Sequence, residues 1–344
     1  MAFLEFQNVR IAGFSAGVPK QIVPNAQVES KDYEASDFIA TTGVKERRLG
    51  DFTTSDLCYA ATERLLSDLG WNREDVGALI FVSQTPDYIL PATACILQDR
   101  LKLSKECYAL DISLGCSGWV YGLSVAAGLI SKNGITKVLL LAGDAKKRAA
   151  ANPDPLFGHA GTVTALEYSE ESLGFKFHVG TDGSGYDAII TPDGGSRNQF
   201  TADSLKLEAG EDGILRHRLQ TVMKGMDVFS FGITVVPKTV KRLLERHNVD
   251  ISSIDFFIFH QANRMMNEKI RKKLKLPEDK VPYCMGEFGN TSSASIPLTI
   301  VTQIADDVRS RSLHLLACGF GVGLSWATVL FDADKVVVSQ LVEL

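Results

Sequence analysis

No apolar run in this 344-residue chain approaches the roughly 18–20 residues that a membrane-spanning helix needs. Met1 to Val9 lacks a basic stretch followed by an apolar one, so no export signal is expected and the compartment reads as the cytoplasm. The six cysteines, at 58, 95, 107, 116, 284 and 318, form no Cys-x-x-Cys pair and no Cys/His spacing suited to zinc. No metal and no bound cofactor are therefore expected, and the cysteines read as free thiols, most of them small core residues. A net charge of −5 gives no general attraction to nucleic acid or to an anionic membrane, so a charged partner must meet a local patch. Low-complexity segments and long linkers are also missing.

What is present is an alternation. Strand-like apolar runs at Ala78–Ser83, Val138–Ala142, Phe256–His260 and His314–Ala317 are interleaved with amphipathic stretches at Ser55–Leu69, Gly118–Ser131, Val236–His247 and Ser295–Val308. This pattern predicts an α/β protein with mainly parallel central strands. The chain also repeats itself. Arg64-Leu65-Leu66 followed by Val76 through Val82 has a counterpart 178 residues later, in Arg242-Leu243-Leu244 followed by Ile254 through His260. At the same offset, the helix entered after Gly115-Cys116 faces the one entered after Asn290-Thr291-Ser292. Two related units are expected, 1–175 and 176–344, packed with their helix starts near a shared centre.

Cys116 stands where the apolar stretch Tyr108–Leu114 gives way to a helix, between glycines at 115 and 118. By itself it fits a small buried residue at a tight turn. At a helix start, however, free N–H groups and the helix dipole favour a thiolate and so a nucleophile. His260 closes an apolar strand and is followed by Gln261-Ala262-Asn263, at the strand end where α/β proteins carry chemistry. Asn290 lies in a small-residue turn, Glu287 to Ser295, that leads into a helix; it is either a turn or capping residue or a donor aimed at a developing oxyanion. Near the end of the chain, Ala317-Cys318-Gly319-Phe320-Gly321-Val322-Gly323 joins two strands through a glycine-rich loop.

Together these segments resemble the ketoacyl-acyl-carrier-protein synthase III family of thiolase-fold condensing enzymes, nearly end to end. Thr42-Gly43-Val44-Lys45-Glu46-Arg47-Arg48, Leu114-Gly115-Cys116-Ser117-Gly118, His260-Gln261-Ala262-Asn263, Gly289-Asn290-Thr291-Ser292 and Gly321 to Trp326 match its motifs in order. The resemblance implies duplicated βαβαβαββ halves stacked as an αβαβα sandwich. It also implies that Cys116 takes an acyl group from acyl-CoA. Malonyl-acyl carrier protein then loses carbon dioxide and condenses with that group, with His260 and Asn290 holding the enolate. Backbone N–H groups of Cys116 and Val322 would hold the acyl oxyanion. A homodimer is implied too, with Leu90, ahead of Pro91-Ala92-Thr93-Ala94, reaching the partner's acyl pocket. Thiolases place a second cysteine where this chain has Phe320, so Cys318 reads as strand core. Hydroxymethylglutaryl-CoA synthases carry a glutamate where Ser83-Gln84-Thr85 stands.

The chain departs from the family pattern where short acyl-CoA primers are gripped. Asp37 or Phe38 occupies the position of a tryptophan, Thr41 that of an arginine, and a further family arginine falls near Ala151. The usual Gly-Asp-Gly-Ala-Gly run is Gly158-His159-Ala160-Gly161-Thr162, in which His159 reads as structural. The primer is therefore left open, and a non-condensing acyltransferase or a non-catalytic carrier-binding homologue remain the alternatives. Within Arg264–Lys275, the stripe Met266, Ile270, Leu274 can face a core and leave the basic residues outside. Arg264, Lys269, Arg271, Lys272 and Lys273 are then expected to dock an acidic acyl carrier protein.

Overall fold

The computed structural model describes residues 2–27, 34–145, 154–210 and 215–344. As far as Tyr168 the main elements are β1 (Ala2–Phe6), β2 (Val9–Val18), α1 (Ala35–Thr42), α2 (Thr54–Leu69), β3 (Ala78–Val82), α3 (Thr93–Arg100), β4 (Tyr108–Ile112), α4 (Gly118–Leu129), β5 (Lys137–Asp144) and β6 (Ala160–Tyr168). There follow β7 (Phe175–Thr181), α5 (Gly225–Arg246), β8 (Phe256–Phe259), α6 (Arg264–Leu274), α7 (Ser295–Gln303), α8 (Ala305–Ser310), β9 (Leu313–Gly321), β10 (Ser325–Ala333), β11 (Val337–Val338) and β12 (Val342–Glu343). Ala151 lies outside the described residues. Among those residues no helix is long and apolar enough to cross a membrane, and no cluster of side chains is suited to a metal ion.

The strands form two large sheets. One runs β11-β2-β6-β5-β3-β4, with β12 also on β2; the other runs β1-β7-β10-β9-β8. Period-two alternation sorts their side chains into layers. Leu79 and Phe81 face outward under α2 and α3, while Ile80 and Val82 face inward onto α4. In the second sheet Leu315 and Ala317 face inward, and Leu316 and Cys318 face α5 and α6. With α4 and α7 between the sheets, the stack is the five-layered thiolase-like sandwich.

The strands are less parallel than the alternation predicts. β3 pairs in parallel with β4 and β5, and β8 with β9, but β6 is antiparallel to both β2 and β5. β9 and β10 also run antiparallel, because the short loop Val322–Leu324 leaves no room for a crossover helix. Ser295–Val308 is two helices rather than one, interrupted at Ile304, whose φ of −130° takes it out of the helical region. The helix expected at Val236 begins at Gly225 and carries Pro237 within it.

The repeat is visible in fine detail. α2 starts on a capping box between Thr53 and Asp56 and ends at Gly70 with a φ of 63°. α5 is followed by Asn248 with a φ of 52°, at the matching position. The short 3-10 turns Arg73–Asp75 and Ile251–Ser253 then lead into β3 and β8. Equivalent strands thus arrive at equivalent depths.

Trp119, on the first turn of α4, fills the centre of the middle layer. Its indole N–H donates to Thr164 Oγ1 at 2.9 Å, and its ring meets Phe14 and Phe331 from the two sheets. Trp119→Ala is expected to cost about 3–5 kcal/mol of unfolding free energy in denaturant titrations. A loss under about 1 kcal/mol would show that the sheets do not depend on this packing.

Candidate active site

The starts of α4 and α7 meet in the middle layer, and they bring the three expected side chains around one residue, Ser292. Its hydroxyl faces the Cys116 thiol, and its backbone carbonyl accepts from the His260 ring. Its own N–H donates to Asn290 Oδ1 at 2.9 Å. Close approach depends on missing side chains. A Cβ on Gly321 would lie 2.7 Å from Cys116 Cβ, and one on Gly115 would lie 2.3 Å from Gln84 Oε1 and 3.3 Å from Ser292 Oγ. Across the gap, Ser117 and Ser325 join their hydroxyls at 2.7 Å, and Ser325 Oγ also donates to the Val322 carbonyl. This ties the nucleophile turn to the glycine loop.

Cys116 is half-buried. Burial pushes its thiol up to about 11, and the charge of Asp144 pushes the same way. The Ser292 hydroxyl and the N–H groups of Val322 and Cys116 itself oppose this without overcoming it. A helix start was expected to favour the thiolate. Desolvation and a neighbouring carboxylate outweigh it, so the thiol carries its proton at neutral pH.

His260 follows β8 directly, its N–H held by the Cys318 carbonyl at 2.9 Å. Burial pushes the imidazole down to about 3, so the ring is neutral. Nδ1 lies 2.8 Å from the buried Ser295 Oγ, which also receives the Gln261 N–H at 3.4 Å. With that N–H donating to it, the Ser295 hydroxyl donates to Nδ1 and the ring proton stays on Nε2. Phe320 stands edge-on to the ring, with centroids 5.6 Å apart. Cys318 points away into the core, where Thr328 Oγ1 donates to its sulfur at 3.2 Å and burial pushes the thiol up to about 12.

The Asn290 backbone is fixed from outside the site. It exchanges hydrogen bonds with Leu156 O (2.9 Å) and Gly158 N (3.1 Å). With Oδ1 taken by the Ser292 N–H, the amide Nδ2 makes one long contact, 3.5 Å to the Ala262 carbonyl. The loop bearing Leu156 is itself held by buried Arg47, which donates to Asn25 Oδ1 (2.9 Å) and to the carbonyls of Asp154 (3.0 Å) and Phe157 (3.4 Å). The early Thr-Gly motif therefore acts here as a fastener for Asn290. His159 is half-buried beside the same loop, its N–H on the Arg48 carbonyl.

The remaining expected residues lie at the periphery. Asp37 and Thr41 are exposed on α1, and Phe38 is half-buried there. On α6, Met266, Ile270 and Leu274 are buried and Arg264, Lys269, Lys272 and Lys273 are exposed. Arg271 differs from its expected docking role. It is buried, with its guanidinium taken up by Glu268, Glu278 and the Leu276 carbonyl. Lys273 donates to the Ile233 carbonyl at 3.0 Å. Leu90 is 84% exposed, beside Ile89 at 91%.

A five-layered α/β sandwich that gathers a cysteine, a histidine and an asparagine between two middle-layer helix starts is the arrangement of the thiolase-like condensing enzymes. Residues 110–183 match the family described as 3-oxoacyl-[acyl-carrier-protein (ACP)] synthase III, and residues 244–333 match its C-terminal part. A beta-ketoacyl-[acyl-carrier-protein] synthase III of Caldanaerobacter subterraneus subsp. tengcongensis is 32% identical, over 94% of this chain and 98% of that one. One from Clostridium perfringens is 30% identical, over 94% and 99%. A solved 3-oxoacyl-(acyl-carrier protein) synthase from Burkholderia xenovorans LB400 is 39% identical and covers 100% of this chain and 99% of its own, with a TM-score of 0.92. The chain belongs to the 3-oxoacyl-[acyl-carrier-protein] synthase III family, and it is an acyltransferase of the condensing type.

Three residues of this site receive no role from the sequence: Ser292 reads only as the end of the asparagine motif, Ser295 as part of a small-residue turn, and Asp144 lies just past a strand expected to end at Ala142. A hydroxyl every third residue at a helix entrance was the available signal for the first two. Ser295→Ala is expected to release the ring tautomer. Nitrogen-15 shifts of the His260 ring should change from a single Nε2–H pattern to a mixture, with the native ring staying neutral across about pH 5–9. An unaltered pattern in the variant would remove Ser295 from this role.

Proposed function

We propose that Cys116 takes an acyl group from an acyl-CoA and that the enzyme joins it to malonyl-acyl carrier protein, with loss of carbon dioxide, giving a 3-oxoacyl-acyl carrier protein. The observation that carries this reading is the set of contacts at Ser292, which gathers a thiol, a neutral imidazole and an oriented amide. Cys116 Sγ attacks the thioester carbonyl, and the N–H groups of Cys116 and Val322 hold the oxyanion. Coenzyme A leaves as its thiol. The malonyl carboxylate then departs, and its bonding electron pair passes into the thioester as an enolate. Nε2–H of His260 and Nδ2–H of Asn290 donate to the enolate oxygen. No base is required for that step, which suits a ring pushed down to about 3. Two such donors contribute roughly 2.7–4 kcal/mol each. The enolate carbon attacks the acyl group, and Cys116 leaves and is reprotonated.

In the same reading the carrier protein docks on the outer face of α6, at Arg264, Lys269, Lys272 and Lys273, while Arg271 stiffens the helix from within. The enzyme works in the cytoplasm as a homodimer, and the duplicated units divide near residue 175. The exposed Tyr88-Ile89-Leu90 segment supports the dimer, since a bare apolar loop of this size calls for a cover. Leu90 would enter the partner's acyl pocket. With Asp37, Phe38 and Thr41 in place of a tryptophan–arginine clamp, the identity of the primer is best read from intact-mass analysis of Cys116 after exposure to a panel of acyl-CoAs and acyl-carrier proteins.

Cys116→Ala is expected to abolish acyl loading. His260→Ala and Asn290→Ala should still load, but release carbon dioxide from malonyl-acyl carrier protein about 100- to 1,000-fold more slowly. Equal loss of loading in all three variants would contradict the assigned roles. Lys269→Glu with Lys272→Glu is expected to raise the KM for carrier protein several-fold and to flatten its salt dependence, leaving kcat near the native value. An unchanged KM removes this docking surface.

A further inference from the structure

The turn after β3 carries a side chain that no step described above uses. Ser83, Gln84 and Thr85 are fastened by one carboxylate, Asp144 at the end of β5. Its Oδ1 accepts from Ser83 Oγ (2.9 Å), from the Gln84 N–H (2.8 Å) and from Thr85 Oγ1 (3.2 Å). Thr85 Oγ1 also meets Thr54 Oγ1 at 2.7 Å, which ties the turn to α2. Both hydroxyls of the turn are thus engaged, and the Gln84 backbone is fixed. The Gln84 side chain leaves the turn toward the nucleophile. From the point where a Cβ on Gly115 would stand, Gln84 Oε1 is 2.3 Å away, Gln84 Cδ 3.0 Å and Ser292 Oγ 3.3 Å. The carboxamide therefore rests against the backbone one residue before Cys116. Gln84 is nevertheless exposed, and its amide has no hydrogen-bond partner among the described residues.

We propose that Gln84 selects the acyl group carried by Cys116, by hydrogen-bonding a hydroxyl or carbonyl oxygen on the third carbon of the chain. The idea rests on Cys116 being the loaded nucleophile, and it assigns that nucleophile an oxygenated primer in preference to a plain alkyl one. A carboxamide does not titrate; it donates through Nε2 and accepts through Oε1. In the unloaded enzyme water meets these atoms. An acyl group on Cys116 displaces that water, and a saturated chain returns nothing for it. Covering a polar group without a partner costs more than a hydrogen bond gains. A site built in this way rejects an analogue that lacks the matching oxygen. The amide sits about 3.8 Å of backbone from the nucleophile, so the third carbon is the first that can come level with it. Placement also favours the acyl group over the extender. β3 and β4 are parallel neighbours, with Val82 opposite Ile112, so Gln84 and the Cys116 turn leave the same sheet side by side. His260 and Asn290, the donors assigned to the extender, come from the other half of the chain.

Competition between two thioesters that differ by one oxygen tests the idea. Each enantiomer of 3-hydroxybutanoyl-CoA is mixed with an equal amount of butanoyl-CoA, and the group on Cys116 is read by intact mass after brief exposure. In the native enzyme one enantiomer is expected to load about ten- to a hundredfold faster than butanoyl-CoA, the range set by an amide left unpaired. Gln84→Leu keeps the bulk of an exposed side chain and removes the amide, so its preference should vanish or pass to butanoyl-CoA. Equal loading by the native enzyme, or a preference for butanoyl-CoA, would overturn the proposal. A hydroxyl preference that persists unchanged in Gln84→Leu is equally fatal. All of these outcomes leave Cys116 standing as the loaded nucleophile. Labelling by none of the three thioesters also defeats the proposal, and the wider panel of acyl-CoAs and acyl-carrier proteins then shows separately whether Cys116 loads at all.

Discussion

The structure turns on the meeting of two helix starts inside a closed middle layer. α4 and α7 must begin at the same place for Cys116 to stand beside Asn290 and His260, and that place has no spare volume. Gly115 and Gly321 answer this directly, because a single added carbon at either would strike Gln84 or Cys116. Other devices hold the helices in register. Trp119 wedges α4 between the sheets, the Ser117–Ser325 pair binds its start to the glycine loop, and Ser292 touches every member of the site.

Electrostatics then separates the roles. One low-dielectric pocket pushes the Cys116 thiol up and the His260 imidazole down, so each is neutral at rest. Neutrality suits the donor role proposed for the histidine, whose Nδ1 lies against the Ser295 hydroxyl.

Much of this was legible in the sequence. The offset between Arg64-Leu65-Leu66 and Arg242-Leu243-Leu244 survives in matching turns at Gly70 and Asn248, because a repeat in sequence must bury equivalent faces. The positions of Cys116, His260 and Asn290 followed from strand ends and helix starts. The misses have physical causes. Local pattern says nothing about strand direction, so antiparallel β6 escaped it. Charge pattern cannot distinguish an exposed arginine from Arg271, whose partners Glu268 and Glu278 lie within one and two turns of it. The Cys116 thiol needed knowledge of Asp144, which comes from another strand.

The chain also crosses over between its sheets. β1, from the first residues described, is the edge of the sheet that carries His260, while β11 and β12 lie beside β2 in the other. The two layers are in effect clasped, each holding a strand contributed from the far side of the sequence. Parting them like a hinged jaw would tear main-chain ladders at both margins, so access to Cys116 by gaping of the sandwich is closed off.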